Sequence, residues 1–263
     1  MSDPILIRND DGAVCTLTLN NPARLNALSD AMLAALKETF AELAETSSIR
    51  AIRLRGAGKA FCAGHDLREM TDGRQAEDGG RAYFADLFAR CSAMMTAIRD
   101  LPQPVIAEVH GVAAAAGCQL VATCDLAIAA EGTRFGVNGV NIGLFCSTPM
   151  VALSRNIPTK QAFEMLVTGE LIDAHRAQEL GLVNRVVAAN DLDAKSQEMT
   201  ELVASKLGAA VKIGKGAFYR QDEMTLDHAY AYVADVMVEN MLHAQTEKGI
   251  EAFLKKEKPV WDQ

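Results

Sequence analysis

The stretch VIAEVHGVAAAAGCQLVATCD, residues 105–125, opens as a strand and closes as a helix. Val105–Val109 is a short apolar run of the kind a doubly covered strand needs. Gly111 turns the chain, and Ala115–Cys124 continues as a helix of small residues. Leu126–Ala130 is a second buried strand. Strand, helix and strand in so short a span predict an α/β chain. The first N–H groups of that helix have no internal acceptor and carry partial positive charge. Small side chains keep such donors uncovered, although they also serve tight turns and close helix packing.

Working outward, a second small-residue loop, GAGKAFCAGHDL at residues 56–67, follows the strand Ile49–Arg55. Two N–H groups converging from separate loops would form an oxyanion hole, a fixed pair of donors for a developing negative oxygen. Farther upstream, Ala13–Leu19 alternates as a half-buried strand and Asn20-Asn21-Pro22 breaks it. Ser29 caps a helix whose apolar face is Leu33, Leu36, Phe40 and Leu43. A helix over about Tyr83–Asp100 is stopped by Pro102 and Pro104. From Pro149 the pattern is mainly helical. Asp173 caps a helix ending at Gly181, Leu182–Val187 is a strand, and Ala209–Gln221 and Thr225–His243 are closing helices. No linker divides the chain, so residues 1–263 form one domain, with a core over about 1–200 and a helical region over about 201–263.

The net charge of −8 argues against nucleic-acid and anionic-membrane partners, which require clustered cations. Hydrophobic residues at 49% and charged residues at 23% suit an ordinary globular core. The six cysteines form no C-x-x-C pair and sit mostly in apolar runs, as buried thiols of a reducing compartment do. No secretory signal and no membrane-length apolar run is visible, so a soluble cytoplasmic protein is expected. A phosphate-binding P-loop, a dinucleotide fingerprint, an H-E-x-x-H metal motif, a Cys/His cluster and a G-x-S-x-G elbow are all missing, which leaves no metal expected.

The segments Ala60-Phe61-Cys62-Ala63-Gly64-His65-Asp66-Leu67, His110-Gly111 through Gly117-Cys118-Gln119-Leu120 to Cys124-Asp125, and Thr168-Gly169 through Ala174 to Gly181-Leu182-Val183 follow one another in the order of the crotonase (enoyl-CoA hydratase/isomerase) superfamily. Asn20 to Leu28 resembles its opening turn, and Gly249 to Lys256 with Pro259 its final helix. Gly143 to Pro149 and the ending Lys258-Pro259-Val260-Trp261 resemble one branch of it. The resemblance implies an α/β superhelix of strand–strand–helix units with a C-terminal helical trimerisation region, in a homotrimer or a dimer of trimers. It implies an acyl-CoA thioester as ligand, with coenzyme A as part of the substrate and no separate cofactor. Carried over by position, Ala63 and Ala116 would supply the oxyanion N–H groups, beside Gly117. Ala23, Arg24 and Leu25 would line the CoA arm, Gly64, His65, Asp66 and Leu67 its adenine and pantetheine side, and Phe253 and Lys256 would reach CoA from a neighbouring subunit. His65 would serve the fold or face phosphate, and His110 would be a hydrogen-bonded core histidine.

Two positions depart from that pattern. Hydratases of the superfamily hold water between two glutamates, whose places here are taken by Gln119 and Gly139. A neutral amide accepts no proton at neutral pH, and glycine has no side chain. General acid–base groups supply roughly 10²–10⁴-fold each, so efficient hydration is not expected. Asn138, Asn141 and Cys146 occupy the loop expected to face the acyl group; the asparagines are not bases, and Cys146 has no neighbouring His or Lys to activate it. The expected activity is therefore enolate chemistry on an acyl-CoA of undefined outcome, or non-catalytic acyl-CoA binding.

Overall fold

The computed structural model describes residues 3–262. Strands β1 (Leu6–Asp11) and β2 (Val14–Leu19) form an antiparallel hairpin about Gly12, whose φ is +56°. Helix α1 (Asp30–Ala44) starts at Ser29, whose side chain accepts from the Met32 N–H, and buries Met32, Leu33, Leu36, Phe40 and Leu43 at helical spacing. Strand β3 (Ala51–Gly56) joins β2 in parallel. Helix α2 (Leu67–Gly73) is capped by Asp66, and α3 (Arg81–Asp100) lays Leu87, Cys91, Met94, Met95 and Ile98 inward.

The next two units repeat one plan. Strand β4 (Val105–Val109) is followed by β5 (Val112–Ala114) and α4 (Ala116–Thr123). Strand β6 (Leu126–Ala130) is followed by β7 (Arg134–Gly136), a 3₁₀ turn at Asn138–Ile142, and α5 (Pro149–Asn156). Helix α6 (Thr159–Thr168), β8 (Ile172–Asp173), α7 (Ala174–Leu180) and β9 (Arg185–Val187) complete the core. The expected strand over 182–187 shrinks to Arg185–Val187, because Leu182 and Val183 are buried in the turn that leaves α7. One sheet has the order β1-β2-β3-β4-β6-β9, parallel except at β1, and a smaller one the order β5-β7-β8. Each ββα unit thus sends its first strand to the large sheet and its second to the small one.

The alternation of β3 and β4 sorts the large sheet's two faces. Ile52, Leu54, Val105, Ala107 and Val109 join the main core with α1, α3 and α4. Ala51 and Ile106 face the other way, against Leu192 and Met199 of α8 (Leu192–Ala204). On that side the buried Glu108 pairs with Arg53 and Arg55, each at 3.3 Å, and accepts from the Ser196 hydroxyl, so α8 is tied to the sheet by a charge network in which only the Arg53 Nε lacks a partner among the buried polar atoms.

The chain ends in α9 (Gly208–Gln221), α10 (Leu226–Met241) and α11 (Ala244–Leu254). Lys215 fastens α9: its ammonium donates to the carbonyls of Ile98 and Gln103, each at 2.9 Å, and to Asp125 at 2.7 Å. Asp125 also accepts from the Tyr219 hydroxyl and the Val105 N–H. Neither α10 nor α11 buries a single residue within the chain. No helix among the described residues is long and apolar enough to cross a membrane.

Candidate active site

The two small-residue loops meet. Cys62 bridges to β5, donating to the Val112 carbonyl at 3.2 Å and accepting from the Ala114 N–H at 3.0 Å. Asn26, fully buried, holds the first loop from beneath by donating to the carbonyls of Ala57 and Ala60 at 2.8 and 2.7 Å. Gly64 has φ +100°, and a Cβ there would lie 3.1 Å from the Ala114 carbonyl oxygen and 3.3 Å from the Ala116 nitrogen. Only glycine lets the backbones approach so closely in that conformation. Gly117 plays the matching part on the second loop, since a Cβ there would lie 2.1 Å from the Cys62 carbonyl oxygen.

An account of N–H groups corrects one expected donor. The Ala63 N–H is spent on the Leu25 carbonyl at 3.0 Å and cannot serve a ligand. The Gly64 N–H is directed at the Cys62 sulfur. His65, one residue farther, has a main-chain N–H with no acceptor among the described residues. Ala116 is the first residue of α4, and its N–H is likewise unspent. It follows Ala115, held at φ +48° and ψ −117°, a backbone region that costs energy for any residue with a side chain. The Ala115 N–H is pinned to the Gly136 carbonyl at 2.8 Å, so β7 fixes the turn from which α4 starts. Two uncommitted N–H groups, those of His65 and Ala116, therefore flank the Gly64 contact.

The His65 ring is packed within the fold. Its Nδ1 lies 3.3 Å from the Leu28 carbonyl, Phe88 packs on it edge-on, and Nε2 is buried without a partner. Burial pulls its pKa below the ordinary 6.5, with the Leu28 carbonyl opposing. Asp66 caps α2 through the Arg68 N–H and receives the Arg24 guanidinium at 2.6 Å. That partnership, with the Asp66 carboxyl held low by Arg24 and the cap against the pull of burial, is where Arg24 rests. Ala23 and Leu67 are exposed, while Leu25 is half-buried in left-handed backbone.

The acyl-facing positions divide. Gln119 is 5% exposed, and its Oε1 has no hydrogen-bond partner. Gly139 is buried, and a Cβ there would lie 2.3 Å from the Leu144 carbonyl oxygen and 2.8 Å from the Cys146 sulfur. The volume a second carboxylate would need is filled by that loop. Cys146 is buried, and burial pushes its thiol up even though the Gly139 N–H points at it. Cys62 and Cys118 are driven to about 12 by burial. None is an activated nucleophile. Asn141 is held by the end of α6, where its amide donates to the Gly169 carbonyl at 3.1 Å. Asn138 is half-buried with its side chain uncommitted.

Phe253 is 80% exposed on α11, and Lys256 follows it in left-handed backbone; the structure brings neither to the loops of its own chain. His110 is half-buried rather than a core residue, and its Nε2 meets the Gly58 carbonyl at 2.9 Å. Cavities of about 720 and 320 Å³ lie along α9, the first beside Arg99 and Arg220, the second beside Lys215 and Phe218. Neither includes a residue of the two donor loops. The candidate site is marked by its two uncommitted N–H groups and not by a cavity.

The family model described as enoyl-CoA hydratase/isomerase matches residues 9–263. Mouse enoyl-CoA hydratase domain-containing protein 3, named as mitochondrial, is 43% identical over 97% of this chain and 83% of its own length. A solved enoyl-CoA hydratase of Mycobacterium smegmatis is 54% identical, with a TM-score of 0.95 over 99% of this chain and all of that one. The crystal structure of human enoyl-CoA hydratase domain-containing protein 3 is 41% identical, with a TM-score of 0.93 over 98% of this chain and all of that one.

Proposed function

The chain belongs to the enoyl-CoA hydratase/isomerase family, and from that premise we propose that it binds an acyl-CoA thioester and stabilises its enolate between the main-chain N–H groups of His65 and Ala116. The observation that carries this reading is the pair of N–H groups left without acceptors on either side of Gly64. A thioester oxygen placed between them gains two fixed donors as negative charge builds during removal of an α-proton. The positive end of α4 adds to the same field.

Efficient hydration is not part of the proposal. Gln119 transfers no proton, and the Leu144 carbonyl and the Cys146 thiol fill the space beside Gly139. The same two features favour a second reading, an acyl-CoA-binding protein that keeps the thioester site without turnover. Deuterium wash-in at the α-carbon of butyryl-CoA separates the two. An enolate-forming enzyme exchanges the label, and Ala116→Pro, which deletes one donor at a helix position that tolerates proline, lowers exchange by roughly 10²–10³-fold. Tight binding without exchange favours the binder, and no thermal stabilisation by any acyl-CoA removes both readings.

We further propose that the chain assembles as a trimer or a dimer of trimers through the apolar surface of its C-terminal helices. A cytoplasmic location belongs with these proposals, since the mouse relative is named as mitochondrial.

A further inference from the structure

Leu28 grips the first donor loop at two points. It is fully buried and directly precedes Ser29, the cap of α1, so its backbone is a fixed part of the core. Its N–H donates to the Gly64 carbonyl at 2.8 Å, and its own carbonyl lies 3.3 Å from the His65 Nδ1. Leu28 and His65 pair as an isolated parallel bridge. The Gly64 carbonyl and the His65 N–H are the two ends of one trans peptide, and they point in opposite directions. Holding the carbonyl on Leu28 therefore turns the His65 N–H away from Leu28. A carbonyl that accepts a hydrogen bond also polarises the N–H across its peptide and strengthens that donor.

One bond to the carbonyl leaves the peptide free to rock about it. The imidazole supplies the second attachment. A carbonyl only accepts, so the Nδ1 facing Leu28 carries the hydrogen, and Nε2 is left bare and buried without a partner. Phe88 packs edge-on against the ring, with centroids 5.9 Å apart, and keeps it in place. An unpaired buried acceptor costs stability, so the fold keeps this ring at some expense. We propose that the His65 imidazole is a positioning group, which ties Nδ1 to the Leu28 carbonyl and thereby aims the N–H of its own residue at the thioester oxygen. The inference rests on the acyl-CoA reading above. Asn26 steadies the same loop, but its side-chain bonds to that loop end at Ala60, five residues short of the donor.

Infrared difference spectra of butyryl-CoA, isotopically labelled at the thioester carbonyl and bound to the full chain, test this. Two aimed donors lower the carbonyl stretch whether or not turnover follows. Each protein is compared at saturation, so a change in affinity does not enter. The band of the wild-type complex lies below that of the thioester in water. His65→Leu keeps every main-chain N–H yet loses roughly half or more of that shift. His65→Asn recovers it, because the amide nitrogen stands as many bonds from Cα as Nδ1 does. If the leucine variant fails to melt cooperatively, His65→Ala supplies the same comparison. A full shift without the ring overturns the assignment, as does an asparagine variant that restores nothing. Loss of all binding in both the leucine and alanine variants also overturns it, since the ring then serves affinity and not aim. An unshifted band in the wild-type complex, or no binding by the wild type, overturns the acyl-CoA reading itself.

Discussion

At Gly139 a single missing side chain reports on its surroundings. Were it only a lost carboxylate, restoring glutamate there and at Gln119 would rebuild a water-holding pair. The Leu144 carbonyl oxygen, 2.3 Å from where a Cβ would stand, forbids this, because backbone cannot rotate aside as a side chain does. Gly139→Ala should cost about 1–3 kcal/mol, read as an earlier urea midpoint with an unchanged slope. Gln119→Glu combined with Gly139→Glu should remain unable to consume crotonyl-CoA by ultraviolet absorbance. The departure at 119 and 139 was legible in the sequence; the filled space was not, since it depends on a loop folding back on itself. Helix-end chemistry pointed to the start of α4 and the resemblance to Ala116, whose N–H is unspent; the fate of the Ala63 N–H was not legible, since it depends on a carbonyl at Leu25, in another turn.

Among the elements, those whose burial follows one period were readable. Helix α1 shows its stripe of Leu33, Leu36, Phe40 and Leu43, and β4 its unbroken apolar run. Strand β1 escaped notice because it is an edge strand, with Ile7, Asn9, Asp10 and Asp11 exposed and little apolar alternation to report. The docking of α9 was equally hidden. Lys215 reads as a surface lysine, yet it is buried against Asp125 and two carbonyls, with burial lowering its pKa and Asp125 opposing the fall. Lys215→Met would leave the half-buried Asp125 carboxylate with only the Tyr219 and Val105 donors. A loss of about 3 kcal/mol follows, seen as a fall in Tm of roughly 6–12 °C.

For the molecule as a whole, the C-terminal helices pose a question of partnership. Tyr230, Met237, Val238 and Met241 lie along one side of α10 and are more than half exposed, and Leu242, Phe253 and Leu254 extend the apolar surface. Patches of this extent mark interfaces, and a second copy of the chain supplies a matching one. Light scattering coupled to size exclusion should give three or six copies of the 28.2 kDa chain, and Met237→Glu with Met241→Glu should yield single copies. The helices themselves were legible; the exposure of their apolar sides was not, since an amphipathic pattern does not say which molecule covers it. The twofold fate of each ββα unit has a wider consequence. Both donor loops are braced by β5 and by one another, while residues 138–148, which carry Gly139 and Cys146, fold back on themselves outside that brace. A change at Gly139 can therefore leave the paired amides as they are, whereas a change at Gln119, one turn into α4, acts on the donor helix itself.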